Sequence, residues 1–384
     1  MQESIYASED HQALREQIAR FLEREVEPHG EAWEAQGFTP REVLRKMGAL
    51  GWLGMTYPPE YGGAGADAMT SLVFQEALSL CTFHGFVVTV LVHTDMASPH
   101  LVNAGTPAQL KRWLPAVIRG ECVTAVAVTE PDAGSDVAAI RTRARRDGGD
   151  WVLNGAKLFI TNGVHADLYF VAARTDPEAK GSRGLSMFIV EKGTPGFRVG
   201  RALAKQGWHC SDTAELVFED CRIPAENLLG EENRGFYSVM RNFQTERIAA
   251  SAMAVGLCRT ALRLTLDWVK SRKAFGGTLF DKQAIRQRLA MLDARTQAAR
   301  SFLYHCGWLA AQGRDCVREV SALKALAGEL ANEVVYTCQQ FHGGMGYMRE
   351  SPIERLARDA RVLAIGGGAT EVMLEEVAKR LHPN

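Results

Sequence analysis

The period of the apolar residues changes twice along this chain, and the two changes limit the fold more than any other feature. The first ~120 residues follow the 3.6-residue repeat of helices. Leu14, Ile18, Phe21, Leu22 and Val26 recur at the spacing that gathers side chains on one helix face. Pro40 opens the next helix and Gly51 closes it, while the Pro- and Gly-rich segment 57–65 is expected to turn over the surface. From Cys122 the pattern becomes that of strands. Runs at 123–129, 151–160, 168–173, 185–190 and 214–218 are separated by clusters of Gly, Pro, Asp and Asn, among them the turn 147–150. No helical pattern alternates with these strands, which excludes a doubly wound dinucleotide fold. After Gly235 the helical period returns. Leu262, Leu266 and Val269 share one face, and Val320, Leu323, Leu326, Ala327, Leu330 and Val334 share another. Long helices with short connections predict an antiparallel bundle. The chain therefore divides into helical residues 1–121, β residues 122–232 and helical residues 233–384.

A net charge of −1 over 384 residues leaves no basic face to neutralise phosphates, which argues against nucleic acid as a partner. No apolar run approaches the roughly 18 residues of a membrane span. The longest candidate, 86–92, reads as a buried helix, so no integral membrane segment is expected. Met1-Gln2-Glu3-Ser4 carries neither a basic-then-apolar signal nor Arg-rich transit character. Eight cysteines are scattered without a C-x-x-C pair, a pattern of buried reduced thiols rather than of zinc ligands. No metal is expected, and a reducing, cytoplasmic setting is.

Two blocks carry chemistry. Val128-Thr129-Glu130-Pro131-Asp132-Ala133-Gly134-Ser135-Asp136 puts hydroxyls and amides at a strand end. Gln340-Phe341-His342-Gly343-Gly344-Met345-Gly346-Tyr347 is followed by Pro352, Arg355, Arg358, Asp359 and Arg361. Both resemble signatures of the acyl-CoA dehydrogenase family. With the segments around Phe159, Arg272 and Thr370 they stand in the family's order over nearly the whole chain. The resemblance implies an α+β fold: an N-terminal helical domain, a central antiparallel β domain and a C-terminal four-helix bundle, usually assembled as a homotetramer. It also implies FAD, bound in a cleft between the β domain and the bundle.

Val128, Thr129, Gly134 and Ser135 match positions at the flavin ring, where N–H groups and hydroxyls can bond the ring edge. On its own the stretch is equally a polar turn shaped by Pro131 and Gly134. Phe159 stands where the family often has Trp beside the isoalloxazine, and Thr161 matches a flavin-bonding residue. Phe159 alone would read as an edge aromatic. Arg272, Phe275 and Gln283, with Gln340, Gly343 and Gly344, match the adenine and diphosphate side, which the family completes across a subunit interface. A guanidinium fork suits a diphosphate, yet Arg272 and Lys273 equally fit a solvated helix C-terminus. Thr370 and Glu371 match positions near the flavin diphosphate and ribose, with Ala369 in place of the family's usual threonine.

The run Ile365-Gly366-Gly367-Gly368-Ala369-Thr370-Glu371 resembles the family's C-terminal signature but has Gly367 where most members carry the catalytic glutamate. Isovaleryl and long-chain types within the family place theirs at the position matching Glu246, in Phe243-Gln244-Thr245-Glu246-Arg247-Ile248. The implied reaction removes a proton from Cα of an acyl-CoA and a hydride from Cβ to flavin N5, giving a trans-2-enoyl-CoA. It needs a carboxylate within reach and a donor for the developing enolate. Glu246 is the expected base, the Gly367 N–H the expected donor, and Arg247 and Ser135 the expected substrate contacts. By itself a Glu-Arg pair near a helix start is more often solvated charge.

The side-chain-free run 366–368 leaves room for a medium, long or branched saturated acyl group. The resemblance alone implies that electrons pass to electron-transferring flavoprotein. Rival readings keep the fold and change the chemistry: an acyl-CoA oxidase, a flavin monooxygenase, or a catalytically silent scaffold that binds flavin or acyl-CoA.

Overall fold

In the computed structural model, which describes residues 6, 8–179 and 181–381, α1 (Glu9–Phe21) begins behind Ser8. The Ser8 hydroxyl accepts the His11 N–H and the His11 ring accepts the Ser8 N–H, a reciprocal cap that fixes the helix start. A π-turn, Leu22–Val26, extends the helix and keeps Ile18, Phe21, Leu22 and Val26 buried. There follow α2 (Gly30–Gln36), α3 (Arg41–Ala49), α4 (Ala68–Leu78), α5 (His84–Leu91), α6 (Ser98–Ala104) and α7 (Pro107–Ile118). Pro40 precedes α3 and Gly51, at φ 77°, follows it, as their backbone preferences require. Residues 86–92 are buried helix as expected. Residues 58–65 turn over the surface as expected, through a short 3-10 turn at Pro59–Tyr61, while Tyr57 at the start of the segment is buried and its hydroxyl donates to the Thr94 carbonyl at 2.5 Å. The reading of residues 1–4 lies outside the described residues.

The β domain holds β1 (Thr124–Ala127), β2 (Arg143–Asp147), β3 (Asp150–Thr161), β4 (Leu168–Arg174), β5 (Leu185–Glu191), β6 (Phe197–Ala202), β7 (Thr213–Pro224) and β8 (Leu228–Leu229). The sheet runs β6-β7-β3-β2-β4-β5-β8, with β1 beside β4. It is antiparallel except where β4 meets β1 and touches β2 at Arg143–Arg174. Parallel neighbours need a crossover, and the β2–β3 hairpin provides it. β4 is buried on both faces: Leu168, Phe170 and Ala172 join the helical core, while Tyr169, Val171 and Ala173 join a second core inside the β domain.

The C-terminal part is α8 (Gly235–Ser271), a short hairpin of β9 (Lys273–Ala274) and β10 (Gly277–Thr278), α9 (Gln283–Ala311), α10 (Val317–His342), α11 (Pro352–Ala360) and α12 (Thr370–Ala378). The expected bundle is built from the long α8, α9 and α10, with α12 packed along α10. Leu326, assigned to the apolar face of α10, is instead 44% exposed. The longest apolar stretch lies in α8, not at 86–92. That helix is long and apolar enough to cross a membrane, but 72% of the stretch is buried inside the protein. All eight cysteines are free, and seven are buried.

One apolar core runs through both helical domains, and a buried carboxylate crosses it. Glu76 of α4 is 1% exposed. It pairs with Arg259 of α8 at 2.7 Å and with Arg300 of α9, and accepts the Tyr304 hydroxyl at 2.5 Å. Burial pushes this carboxyl up, and the Arg300 bond with the two guanidinium charges more than offsets it, holding the group below the usual carboxylate range. The pairing is therefore intact at neutral pH and is lost only as pH falls through the lowered value. Glu76→Ala leaves two guanidinium groups without their buried counter-ion and should cost about 3–5 kcal/mol in chemical denaturation. Asp132→Asn, which removes an exposed pair with Arg141, should leave the midpoint where it is.

Candidate active site

α8 carries the expected base from the β domain into the helical core. Asn242, 2% exposed, donates from Nδ2 to the Met96 carbonyl at 2.8 Å. Met96 lies in a π-helical turn, Val92–Ala97, whose His93 bonds Thr124 at the start of β1. The same turn thus fixes β1 and α8 relative to each other. Glu246 is one helical turn beyond Asn242, on the same face. It is half-buried, and no hydrogen bond holds its carboxylate among the described residues. Burial pushes its pKa up to about 7, against the pull of the Arg247 and Lys324 charges. Arg247 is also half-buried, with an Nε that finds no hydrogen-bond partner among the described residues.

Gly367 faces this carboxylate. Its φ of 61° lies in the left-handed region, and a Cβ built on it would stand 3.5 Å from Glu246 Oε1. Its N–H has no acceptor among the described residues. Thr370 starts α12 just after the turn. Its hydroxyl donates to Glu329 at 2.8 Å and the Ala364 carbonyl at 3.3 Å, so it is engaged within the chain. Glu371, next to it, is exposed.

The strand-end residues form a second group. The Leu158 N–H donates to the Thr129 carbonyl at 2.9 Å. Lys157, fully buried, donates to the Val128 carbonyl at 2.9 Å and to Glu130 at 2.8 Å. Glu130 in turn accepts the N–H groups of Arg141 and Thr142. This clasp holds the loop while the N–H groups of Val128, Thr129, Gly134 and Ser135, and the hydroxyls of Thr129, Ser135 and Thr161, are left without partners among the described residues. Phe159 sits in a bulge of β3 at φ 61° and is 65% exposed. A non-glycine residue at positive φ costs of order 1–2 kcal/mol, and here the bulge turns an aromatic ring outward. Free donors beside an exposed aromatic fit a flavin ring.

A third group gathers around Trp268. Its indole stacks on His342 with centroids 5.2 Å apart and donates to the Phe341 carbonyl at 3.1 Å. This brings Gln340, Gly343 and Gly344 at the end of α10 to Arg272 at the end of α8. Phe275, at φ 52° on the tip of the β9–β10 hairpin, is 91% exposed. Gln283 opens α9 nearby and is exposed. Nothing would touch a Cβ on Gly343 or Gly344, so both leave open backbone. A fourth feature, an open cleft of about 620 Å³, lies where Arg183 faces Asn233, Arg234 and Tyr237.

Arg358 and Asp359 serve the fold. Arg358 bonds Glu354 at 2.8 Å and His209 at 2.9 Å, and Asp359 accepts the Trp208 N–H at 2.6 Å, tying α11 to the β6–β7 connection. Asn242, Lys157 and Lys324 were missed by the sequence reading. Lys324 interrupts a run of apolar residues, Ala322-Leu323-Lys324-Ala325-Leu326-Ala327, and a charge there is the signal that could have exposed it.

Helical, β and helical domains in that order, with free amides beside an exposed aromatic, match the build of a flavin-dependent oxidoreductase. Family models for the N-terminal, middle and C-terminal domains of acyl-CoA dehydrogenases match residues 8–121, 125–221 and 233–382. The chain belongs to the acyl-CoA dehydrogenase family, FAD enzymes that oxidise the CH–CH group of acyl-CoA. It is 42% identical to the mouse (Mus musculus) long-chain specific acyl-CoA dehydrogenase over 98% of this chain and 87% of that one. It is 35% identical to isovaleryl-CoA dehydrogenase of Pongo abelii over 95% of this chain and 87% of that one. An acyl-CoA dehydrogenase structure from Geobacillus kaustophilus superposes with a TM-score of 0.95 at 41% identity, covering 99% of this chain and 100% of that one.

A half-buried carboxylate with a raised pKa weakens the folded state once it ionises. Between its ordinary value of 4.5 and about 7, rising pH should progressively cost the wild type stability. Glu246→Gln should therefore melt higher than the wild type at pH 8, with the difference closing as pH falls through that interval. Equal melting at every pH would mean that the carboxylate is not desolvated.

Proposed function

We propose that the protein converts a medium-chain, long-chain or branched saturated acyl-CoA to the trans-2-enoyl-CoA, with Glu246 as the base. The observation that carries this reading is the 3.5 Å between Glu246 Oε1 and the position of a Cβ on Gly367. The carboxylate reaches from α8 into the space that a side chain at 367 would fill. FAD, when bound, accepts the hydride leaving Cβ. Val128, Thr129, Gly134, Ser135, Phe159 and Thr161 would hold its ring. Arg272, Phe275, Gln283, Gln340, Gly343 and Gly344 would hold its diphosphate and adenine.

Glu246 takes the Cα proton. A base titrating near 7 accepts it with more driving force than an ordinary carboxylate while remaining substantially ionised. The free Gly367 N–H donates to the thioester oxygen, where negative charge develops. Of the cleft's charged residues, Arg183 and Arg234 rather than Asp176 and Glu178 would meet the phosphates of CoA. Tyr237 and Glu246 are nine residues apart on α8, roughly 13 Å at 1.5 Å per residue, which leaves a pantetheine-length path along the helix. The side-chain-free turn, and the likeness to long-chain and isovaleryl enzymes, support a long or branched acyl group. The exposed hairpin with Phe275 supports a homotetramer in which it completes a neighbour's flavin site, and family kinship supports electron-transferring flavoprotein as the acceptor.

The test is anaerobic titration of the flavin absorbance with straight and branched acyl-CoAs. The wild type should bleach, faster as pH rises with a midpoint near 7. Glu246→Gln should retain FAD and bleach roughly 10²–10⁴-fold more slowly. Equal bleaching by both would refute the base assignment, and peroxide formation in air would favour an oxidase. Separately, Arg272→Glu should weaken FAD binding roughly tenfold or more, the loss expected for a charge-assisted bond, with FAD content measured on the purified protein.

A further inference from the structure

Lys324 is a charged residue in an apolar stripe. It is 2% exposed on α10, and its ammonium donates to the Gly368 carbonyl, which closes the turn facing Glu246. Two further residues of α10, each four positions along, meet the chain leading into that turn. Asn332 donates from Nδ2 to the Ala360 carbonyl at 3.2 Å. A Cβ on Gly328 would stand 2.6 Å from the Leu363 carbonyl oxygen, so helix and segment meet backbone to backbone. Residues four apart share one helix face. One stripe of α10 therefore grips segment 360–368 at its start, middle and end. Gly367 and Gly368 both lie at positive φ and have no side chains to hold the turn themselves. The Gly368 carbonyl has no other donor among the described residues.

We propose that Lys324 is a positioning residue for this reaction: from α10 it holds the Gly366–Gly368 turn so that the Gly367 N–H meets the thioester, and it places a buried cation at the turn that faces Glu246. The inference rests on Glu246 being the base. Glu246 is faced by Arg247 on its own helix and by Lys324 from α10. Arg247 is faced in turn by Glu376 of α12 and by Arg380 in the turn after it. Lys324 is faced by Arg247, Glu246, Glu329 and Glu371. Burial and the Arg247 charge bring Lys324 down to about 8, so it is protonated at neutral pH. Without it, Glu246 keeps one cation, and that cation is shared with Glu376. The carboxyl would then titrate higher, and less of it would be a base at pH 7.

Lys324→Met removes both the charge and the bond, while Lys324→Gln drops the charge and keeps a donor for the Gly368 carbonyl. Each holoenzyme is compared with its own Glu246→Gln version by infrared difference spectroscopy across pH, which isolates the protonated carboxyl band of Glu246. The wild-type midpoint should lie near 7. In both lysine variants it should rise by about one unit. FAD content should stay at the wild-type level; anaerobic flavin reduction at pH 7 should slow by roughly fivefold in Lys324→Gln and recover at higher pH, whereas Lys324→Met, which also loses the bond to the turn, should stay slow at high pH. Lys324→Arg should keep the wild-type midpoint. An unmoved midpoint in Lys324→Gln and Lys324→Met overturns the role given to Lys324, even if Glu246→Gln is inactive. Failure of the base assignment would show differently, as flavin reduction by Glu246→Gln itself.

Discussion

The course of α8 is the constraint on which the site depends. This helix starts against β5, crosses the cleft and ends in a core shared by both helical domains. Residues 248–258 are buried throughout, and Arg259 closes the run on Glu76. With that end locked, the residues one and two turns earlier cannot rotate independently. Asn242 is pinned to the π-helical turn beside β1, and Glu246 is delivered to the cleft by a rigid element. The strand-end loop reaches the same region through β1, which that turn also holds. Two groups far apart in sequence are thus registered through one short irregular segment.

Two glutamates show how completely surroundings decide chemistry. Glu76 is surrounded by donors, with two guanidinium groups and a phenol filling its lone pairs, and it titrates low. Glu246 has neighbouring charge and no hydrogen bond, and it titrates high. Opposite shifts in one residue type separate a structural group from the one proposed here as the base. Lys157 is bonded as Glu76 is, to Glu130 and a carbonyl, yet burial outweighs those partners and brings it down to about 8; its bonds brace the loop.

Much of this fold is legible from periodicity, because long buried elements repeat faithfully. The strands at 151–160, 168–173 and 185–190 lie within observed strands. β2 and β6 were not recognised, since Arg143-Ala144-Arg145-Arg146-Asp147 and the edge strand 197–202 are mostly exposed and carry charge where an apolar alternation was sought. The parallel joint between β1 and β4 depends on chain connection, which no local pattern encodes. At the site, resemblance singled out Glu246 and Gly367 as a pair. Their approach is a tertiary fact. The positive φ of Phe159 comes from a bulge set by the partner strand, and Lys324 reads as surface charge until the helix around it is packed.

The glycine at 367 also restricts what this lineage can become. A glutamate returned to that position would have to accept a left-handed backbone, and its Cβ would arrive within 3.5 Å of a carboxylate already there. Two acids crowded into one space cannot both ionise readily. With Glu246 as the proposed base, a second carboxylate at 367 would oppose its ionisation rather than share its work.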